Sequence, residues 1–137
     1  MELNNTTQYA LRLLNYINVA NTKQLYSAKF LSEELGINYK FLTSIMTKLV
    51  KAELIESIRG REGGFKLLKD PKQIYIIDII TLFDDSFQKE SCILGIDKCD
   101  EGKKCSMHDR WIKPKKMVYE LFETTTLEDL KNSGDKF

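Results

Sequence analysis

No apolar stretch in this 137-residue sequence approaches the ~20 residues that a membrane-spanning helix needs. The strongest, Ile74 to Phe83, is broken by Asp78 and Thr81. Charge of one sign is missing too. Against 21 Lys+Arg stand 20 Asp+Glu, so no global field draws the chain to nucleic acid or a membrane surface, and any basic patch must be local. Met1 to Asn5 holds neither a basic nor an apolar region, which speaks against a secretory signal and for a cytoplasmic protein without a membrane partner. Histidine occurs once, and no nucleophile–base pair stands out, so an enzyme is not expected. Asp78 and Glu120 are lone acids suited to capping or solvated roles. Cysteine is scarce, and its odd count of 3 makes a poor disulfide framework.

What remains is an ordinary globular balance, 42% hydrophobic and 30% charged. At this length about two-thirds of the unfolded surface can be buried, which needs no staples. The apolar spacing of Ala10, Leu13, Leu14 and Ile17 predicts a helix from about Asn5 to Val19, with Asn5 or Thr6 as N-cap. Ser27 can cap a second helix carrying Phe30, Leu31 and Leu35, closed by Gly36. Asn38 can cap a third, whose buried stripe would be Phe41, Leu42, Ile45, Met46 and Leu49. Two helices joined by a short glycine-containing turn form the helix-turn-helix pattern.

The opposite face of the third helix offers Lys40, Ser44, Thr47 and Lys51, flanked by Thr43 and Lys48, with no acid between Glu34 and Glu53. Hydroxyls can read base edges, and lysines neutralise phosphates. A solvated face without acids would look the same. The next segment favours DNA. Two short strands, Leu54 to Ile58 and Phe65 to Leu68, flank Arg59-Gly60-Arg61-Glu62-Gly63-Gly64, a hairpin by composition. A helix-turn-helix followed by a basic hairpin is a winged helix, whose arginines suit a narrow minor groove. Residues 38–68 carry six Lys/Arg against three Asp/Glu, so the basic patch falls where the motif places it.

Beyond Asp70-Pro71, the run Ile74 to Ile80 is β-branched and favours a strand, while Ile76, Ile79, Ile80 and Phe83 also fit a helix. Further on, Trp111, Val118, Leu121 and Phe122 mark a helix that starts near Pro114 or kinks there. Thr126-Leu127-Glu128-Asp129 is a capping-box pattern for a short last helix, and the tail from Asn132 to Phe137 is expected to fray.

Cys92-x6-Cys99-x5-Cys105-x2-His108 gathers every cysteine and the one histidine within seventeen positions. Thiolates with an imidazole suit zinc or an iron–sulphur cluster and exclude magnesium and calcium. Three free thiols and a surface histidine would be the plain alternative, but the intervening residues are polar and offer little core. Three Cys and one His make a tetrahedral zinc set, and the spacing leaves zinc and iron–sulphur equally open.

Taken in order, these motifs resemble the bacterial iron–sulphur winged-helix regulators of the IscR, NsrR and RirA type. The resemblance is carried by Tyr9-Ala10-Leu11, Leu35-Gly36-Ile37, Phe41-Leu42, Leu54-Ile55, Arg59-Gly60-x-x-Gly63-Gly64-Phe65, the three cysteines, Cys105-x2-His108, Trp111 and Thr126-Leu127. It implies a mainly α fold with a small β-hairpin wing (α+β), a winged helix-turn-helix plus a long dimerisation helix. Residues 1–84 would be the DNA-binding domain, 85–108 the cluster-binding loop and 109–137 the dimerisation helix and tail. Residues 74–83 would be helical. The implied protein is a homodimer on a near-palindromic double-stranded operator, its affinity gated by an iron–sulphur cluster sensing iron, redox state or nitric oxide. The ligand set implied is Cys92, Cys99, Cys105 and His108, matching a [2Fe-2S] site. An acidic first-helix residue that would complete a [4Fe-4S] site is replaced by Gln8, which favours the smaller cluster. DNA contacts would come from Tyr39, Lys40, Thr43, Ser44, Thr47, Lys48, Lys51, Arg59 and Arg61. Glu62 at the wing tip and the Thr43-Ser44 pair depart from the IscR pattern, so the operator sequence does not carry over. Two other expectations compete: the same fold with zinc or a cluster-free thiol switch, and a small iron–sulphur electron-transfer protein.

Overall fold

The structure, a computed structural model, describes residues 2–20, 23–88, 90–96 and 98–132. Six helices and one two-stranded antiparallel hairpin follow one another: α1 (Asn5–Ala20), α2 (Ala28–Leu35), α3 (Tyr39–Lys51), β1 (Ile55–Ile58), β2 (Gly64–Leu67), α4 (Ile76–Phe83), α5 (His108–Thr124) and α6 (Leu127–Asn132). The expected mainly helical winged-helix architecture is present.

Local chemistry sets most boundaries. The α1 cap is Asn4, one position before the expected pair, because its Oδ1 accepts the Thr7 N–H at 2.8 Å. Ser27 and Asn38 cap α2 and α3 through the Phe30 and Phe41 amides. Gly36 ends α2 in the left-handed conformation. The end of α3 is less legible: Glu53 takes φ +60°, with Glu53 N–H donating to Val50 and Leu54 N–H to Leu49. This is the double bond pattern of a glycine-closed helix end, made without glycine.

In the wing, Ile55 pairs with Leu67 and Ile58 with Gly64. Both strands sit one residue off the expected bounds: Leu54 lies before β1 and Leu68 after β2. Tyr26 adds one rung, exchanging backbone bonds with Phe65 at 2.9 and 2.8 Å. That close approach needs glycine at 64, where a Cβ would stand 2.8 Å from the Tyr26 carbonyl oxygen.

The core lies between α1, α3 and α4, with Leu13, Leu14, Ile17, Leu42, Ile45, Leu49, Ile79 and Ile80 almost wholly buried. Phe41, expected in the buried stripe, is instead 36% exposed, because it turns outward to meet the edge of Tyr9 at 5.6 Å. Residues 76–83 are helical despite their β-branched composition. Their isoleucines fit the groove beside α1, and Asp78 caps the first turn by accepting from the Tyr75 N–H. Burial there outweighs a propensity difference of tenths of a kcal/mol per residue.

Helix α5 runs through Pro114, which lies inside it, so the helix starts at His108 and not near the proline. Its buried positions are His108, Lys115 and Tyr119, while Leu121, expected among the apolar contacts, is 58% exposed. The capping box at α6 forms as expected: Thr126 N–H donates to Asp129 at 2.8 Å, and Asp129 N–H to Thr126 Oγ1 at 3.2 Å. Antiparallel bonding of Tyr75 with Thr126 straps this C-terminal end onto the start of α4. Residues 133–137 of the expected frayed tail lie outside the described residues.

Candidate nucleic-acid interface and cysteine–histidine site

The outward face of α3 presents Tyr39, Lys40, Ser44, Thr47, Lys48 and Lys51 to solvent, with Thr43 half-buried beside them. Thr43 donates its hydroxyl to the Lys40 carbonyl and Thr47 to the Thr43 carbonyl, at 2.9 and 2.8 Å. Their methyl groups and lone pairs are thereby left for a ligand. Lys48 leans over the Phe83 ring at 5.6 Å, so part of its reach is spent on α4. Arg59 and Arg61 are exposed at the wing, with Glu62 beside them. Lys66 faces Glu56 across the hairpin at 3.8 Å, whereas no ion pair of Arg59 or Arg61 occurs among the described residues. The nine residues expected on DNA thus fall on α3 and the wing tip. Sequence reasoning passed over Arg12, which stacks at 5.8 Å on Tyr9, itself against Phe41.

A separate site forms where residues 90–96 and 98–105 fold back on the start of α5. Cys92, Cys99, Cys105 and His108 all line one cavity, with Ile96, Lys98, Lys103 and Lys104 completing its wall. The three thiols are half-buried. His108 is 4% exposed, and its Nδ1 lies 3.5 Å from Cys99 Sγ. Its backbone N–H donates to the Cys105 carbonyl at 3.0 Å, which fixes the last thiol relative to the helix. The legs of the loop meet at a Ser91–Lys98 bridge, and Gly95 permits the turn between them with φ +65°.

The donor set is that of a thiophilic metal centre: three sulphurs and one imidazole line a shared cavity, bordered by Lys98, Lys103 and Lys104, of which Lys98 pairs with Glu90 at 3.4 Å. Among the described residues no three Cys, His, Asp or Glu side chains are already close enough to hold a metal as they stand. Lys104 is drawn to Asp109 at 2.9 Å. That hydrogen bond and the opposite charge raise the ammonium above its ordinary pKa and lower the Asp109 carboxyl below its own.

A second feature was not legible in the sequence. Lys115 is buried, and its ammonium donates to the Ser91 carbonyl at 2.7 Å. The only signal was its place seven residues after His108, on the same face of the helix.

Residues 3–133 match the family model Rrf2, described as an iron-dependent transcriptional regulator. The chain belongs to the Rrf2 family. It is therefore a transcriptional regulator and not an enzyme. This Rrf2 regulator is 35% identical to a protein of Aquifex aeolicus named as an HTH-type transcriptional regulator, over 99% of this chain and 95% of that one. It is 31% identical to the HTH-type regulator NsrR of Oceanobacillus iheyensis, over 95% and 89%. Its fold matches the solved structure of CymR, the global cysteine regulator of B. subtilis, with a TM-score of 0.82 at 24% identity, over 98% and 99%. No helix of this regulator is long and apolar enough to cross a membrane among the described residues.

Proposed function

We propose that this Rrf2 regulator is a homodimeric operator-binding protein whose DNA affinity is governed by an iron–sulphur cluster held by Cys92, Cys99, Cys105 and His108. The observation that carries the reading is the single cavity lined by all four side chains. When bound, such a cluster supplies a centre whose integrity responds to iron, oxidants or nitric oxide. A set with one imidazole suits a [2Fe-2S] centre, and Gln8 on α1 offers no carboxylate for the alternative [4Fe-4S] set.

The chain's residues divide the work. Residues 1–84 bind DNA: the start of α3 (Tyr39, Lys40, Thr43, Ser44, Thr47) enters the major groove. Lys48, Lys51 and Arg61 hold phosphates, and Arg59 probes the minor groove. Residues 85–108 carry the sensing loop. Residues 109–137 supply the dimer contact, for which α5 leaves Ile112, Met117 and Leu121 exposed. His108 is the first residue of α5, so its ring orientation ties the loop to that helix. Two such subunits on a near-palindromic operator need only about 1.4 kcal/mol between states for a tenfold affinity change.

The test is a visible spectrum of anaerobically purified protein, with iron, sulphide and zinc assayed on the same sample and operator DNA titrated with and without the cluster. Structured bands between ~320 and ~600 nm with equal iron and sulphide support the reading. The 3.5 Å Cys99–His108 contact also suits a reactive thiol, so a second reading is a zinc-bound or cluster-free thiol switch on the same fold. A colourless protein with stoichiometric zinc selects the first form of that reading. A colourless, metal-free protein that reconstitution cannot colour selects the second.

A further inference from the structure

The structure assigns Lys115 a positioning role: it anchors the first leg of the cysteine hairpin to α5, so that α5 grips both legs at once. The consequence for DNA rests on the cluster reading, whereas the anchoring rests on geometry alone.

Lysine is almost never buried without a partner, yet Lys115 is 6% exposed. No carboxylate among the described residues is within ion-pair distance of it. Its ammonium donates to the Ser91 carbonyl at 2.7 Å and sits 6.0 Å from the Tyr119 ring centroid. A hydrogen bond from a full charge is about twice as strong as a neutral one.

Ser91 immediately precedes Cys92, and Lys98 immediately precedes Cys99. The Ser91–Lys98 bridge joins these two points into the legs of a hairpin. One leg is held by Lys115; the other meets α5 at His108, through the Cys99 contact at 3.5 Å. Lys115 and His108 are two helical turns apart, about 10 Å along the axis, and share a face. A rigid helix therefore holds both legs, and a change at Cys99 and His108 is passed through the bridge to Lys115 as a load on α5.

The helix transmits that load onward. Tyr119, one turn past Lys115, stacks on Phe87 at 4.9 Å, and Phe87 also meets Phe122 at 5.6 Å. Phe87 lies just beyond α4, which packs on α1 of the winged helix. The state of the cysteine loop and the placement of the DNA-reading elements are thus connected by packed side chains.

The experiment compares Lys115→Met and Lys115→Arg in the full chain, first cluster-free and reduced, with iodoacetamide as probe and mass spectrometry reading each cysteine. The methionine keeps the buried stem and removes the bond. Expected is a several-fold faster alkylation of Cys92 in Lys115→Met, no change at Cys105, a cooperative melt in that variant and parental rates in Lys115→Arg. In reconstituted protein, the ratio of operator affinities with and without the cluster then falls toward one in Lys115→Met, while its visible spectrum stays parental. Parental alkylation at Cys92 in Lys115→Met overturns the anchoring, and a parental affinity ratio overturns the transmission. Should Lys115→Met lack a cooperative melt, Lys115→Gln takes its place in the same assays. If the parent holds no cluster, the functional reading fails, and the alkylation pattern still decides the anchor.

Discussion

The Sγ of Cys99 and the Nδ1 of His108 lie 3.5 Å apart, joining a turn-rich loop to the first residue of a 17-residue helix. His108→Ala removes the imidazole from this pair. The expected outcome is faster loss of cluster absorbance in air, with far-UV circular dichroism unchanged. Cluster absorbance as durable as the parent's would remove His108 from the ligand set.

Arg61 projects from the wing tip without an internal partner in the described geometry, unlike Lys66, which faces Glu56 at 3.8 Å. Arg61→Ala should weaken binding to all DNA sequences alike. The slope of log affinity against log salt should fall by about 0.9, the value of one phosphate contact. A sequence-dependent loss at constant slope would show that Arg61 reads bases instead.

Gly63 is where the wing turn is tightest. A Cβ there would collide with the Ile58 carbonyl oxygen and lie 2.9 Å from the Arg59 carbonyl carbon, backbone atoms that cannot swing aside. Gly63→Ala should cost roughly 1–3 kcal/mol in denaturant unfolding. Operator binding should fall further than stability alone predicts, since the turn aims both arginines. Parental stability in that variant would show that the turn can open without cost.

Glu53 closes α3 at φ +60°, a conformation that disfavours any side chain. Glu53→Gly should raise stability by roughly 0.5–1 kcal/mol, because glycine adopts this conformation without a Cβ clash. Urea unfolding with an unchanged m-value checks it.

Tyr119 is stacked on Phe87, and its hydroxyl is buried without a hydrogen-bond partner among the described residues. Burial, followed by the nearby Glu123 charge, raises its pKa above the ordinary phenol value. The fold therefore favours the neutral phenol. Its contribution is complete below the unfolded phenol's pKa and is lost as pH rises through the raised folded value. Tyr119→Phe should leave neutral-pH stability nearly unchanged and lessen the loss of stability in alkali. A melting series across alkaline pH, parent against variant, shows it.

Much of the fold could be read locally. Ser27, Asn38 and the Thr126–Asp129 box cap where their short polar side chains predict, since a cap needs only the next three residues. The wing followed from glycines and arginines at fixed offsets. Residues 74–83 were not decidable, because so short a run, rich in β-branched residues, satisfies either period until a groove selects one. Phe41 was misplaced for a related reason: its spacing fits the stripe, but Tyr9 on another helix draws it outward.

The functional residues divide in the same way. Sequence by itself determined the winged-helix pattern, the local basic patch and the identity of the four candidate ligands, because these depend on residue type and short spacing. Only the tertiary structure decided that Cys92, Cys99, Cys105 and His108 border one cavity and that Lys115 reaches back 24 residues to the Ser91 carbonyl. Such contacts depend on how a glycine-turned loop lies against a helix, and packing sets that where no local period records it.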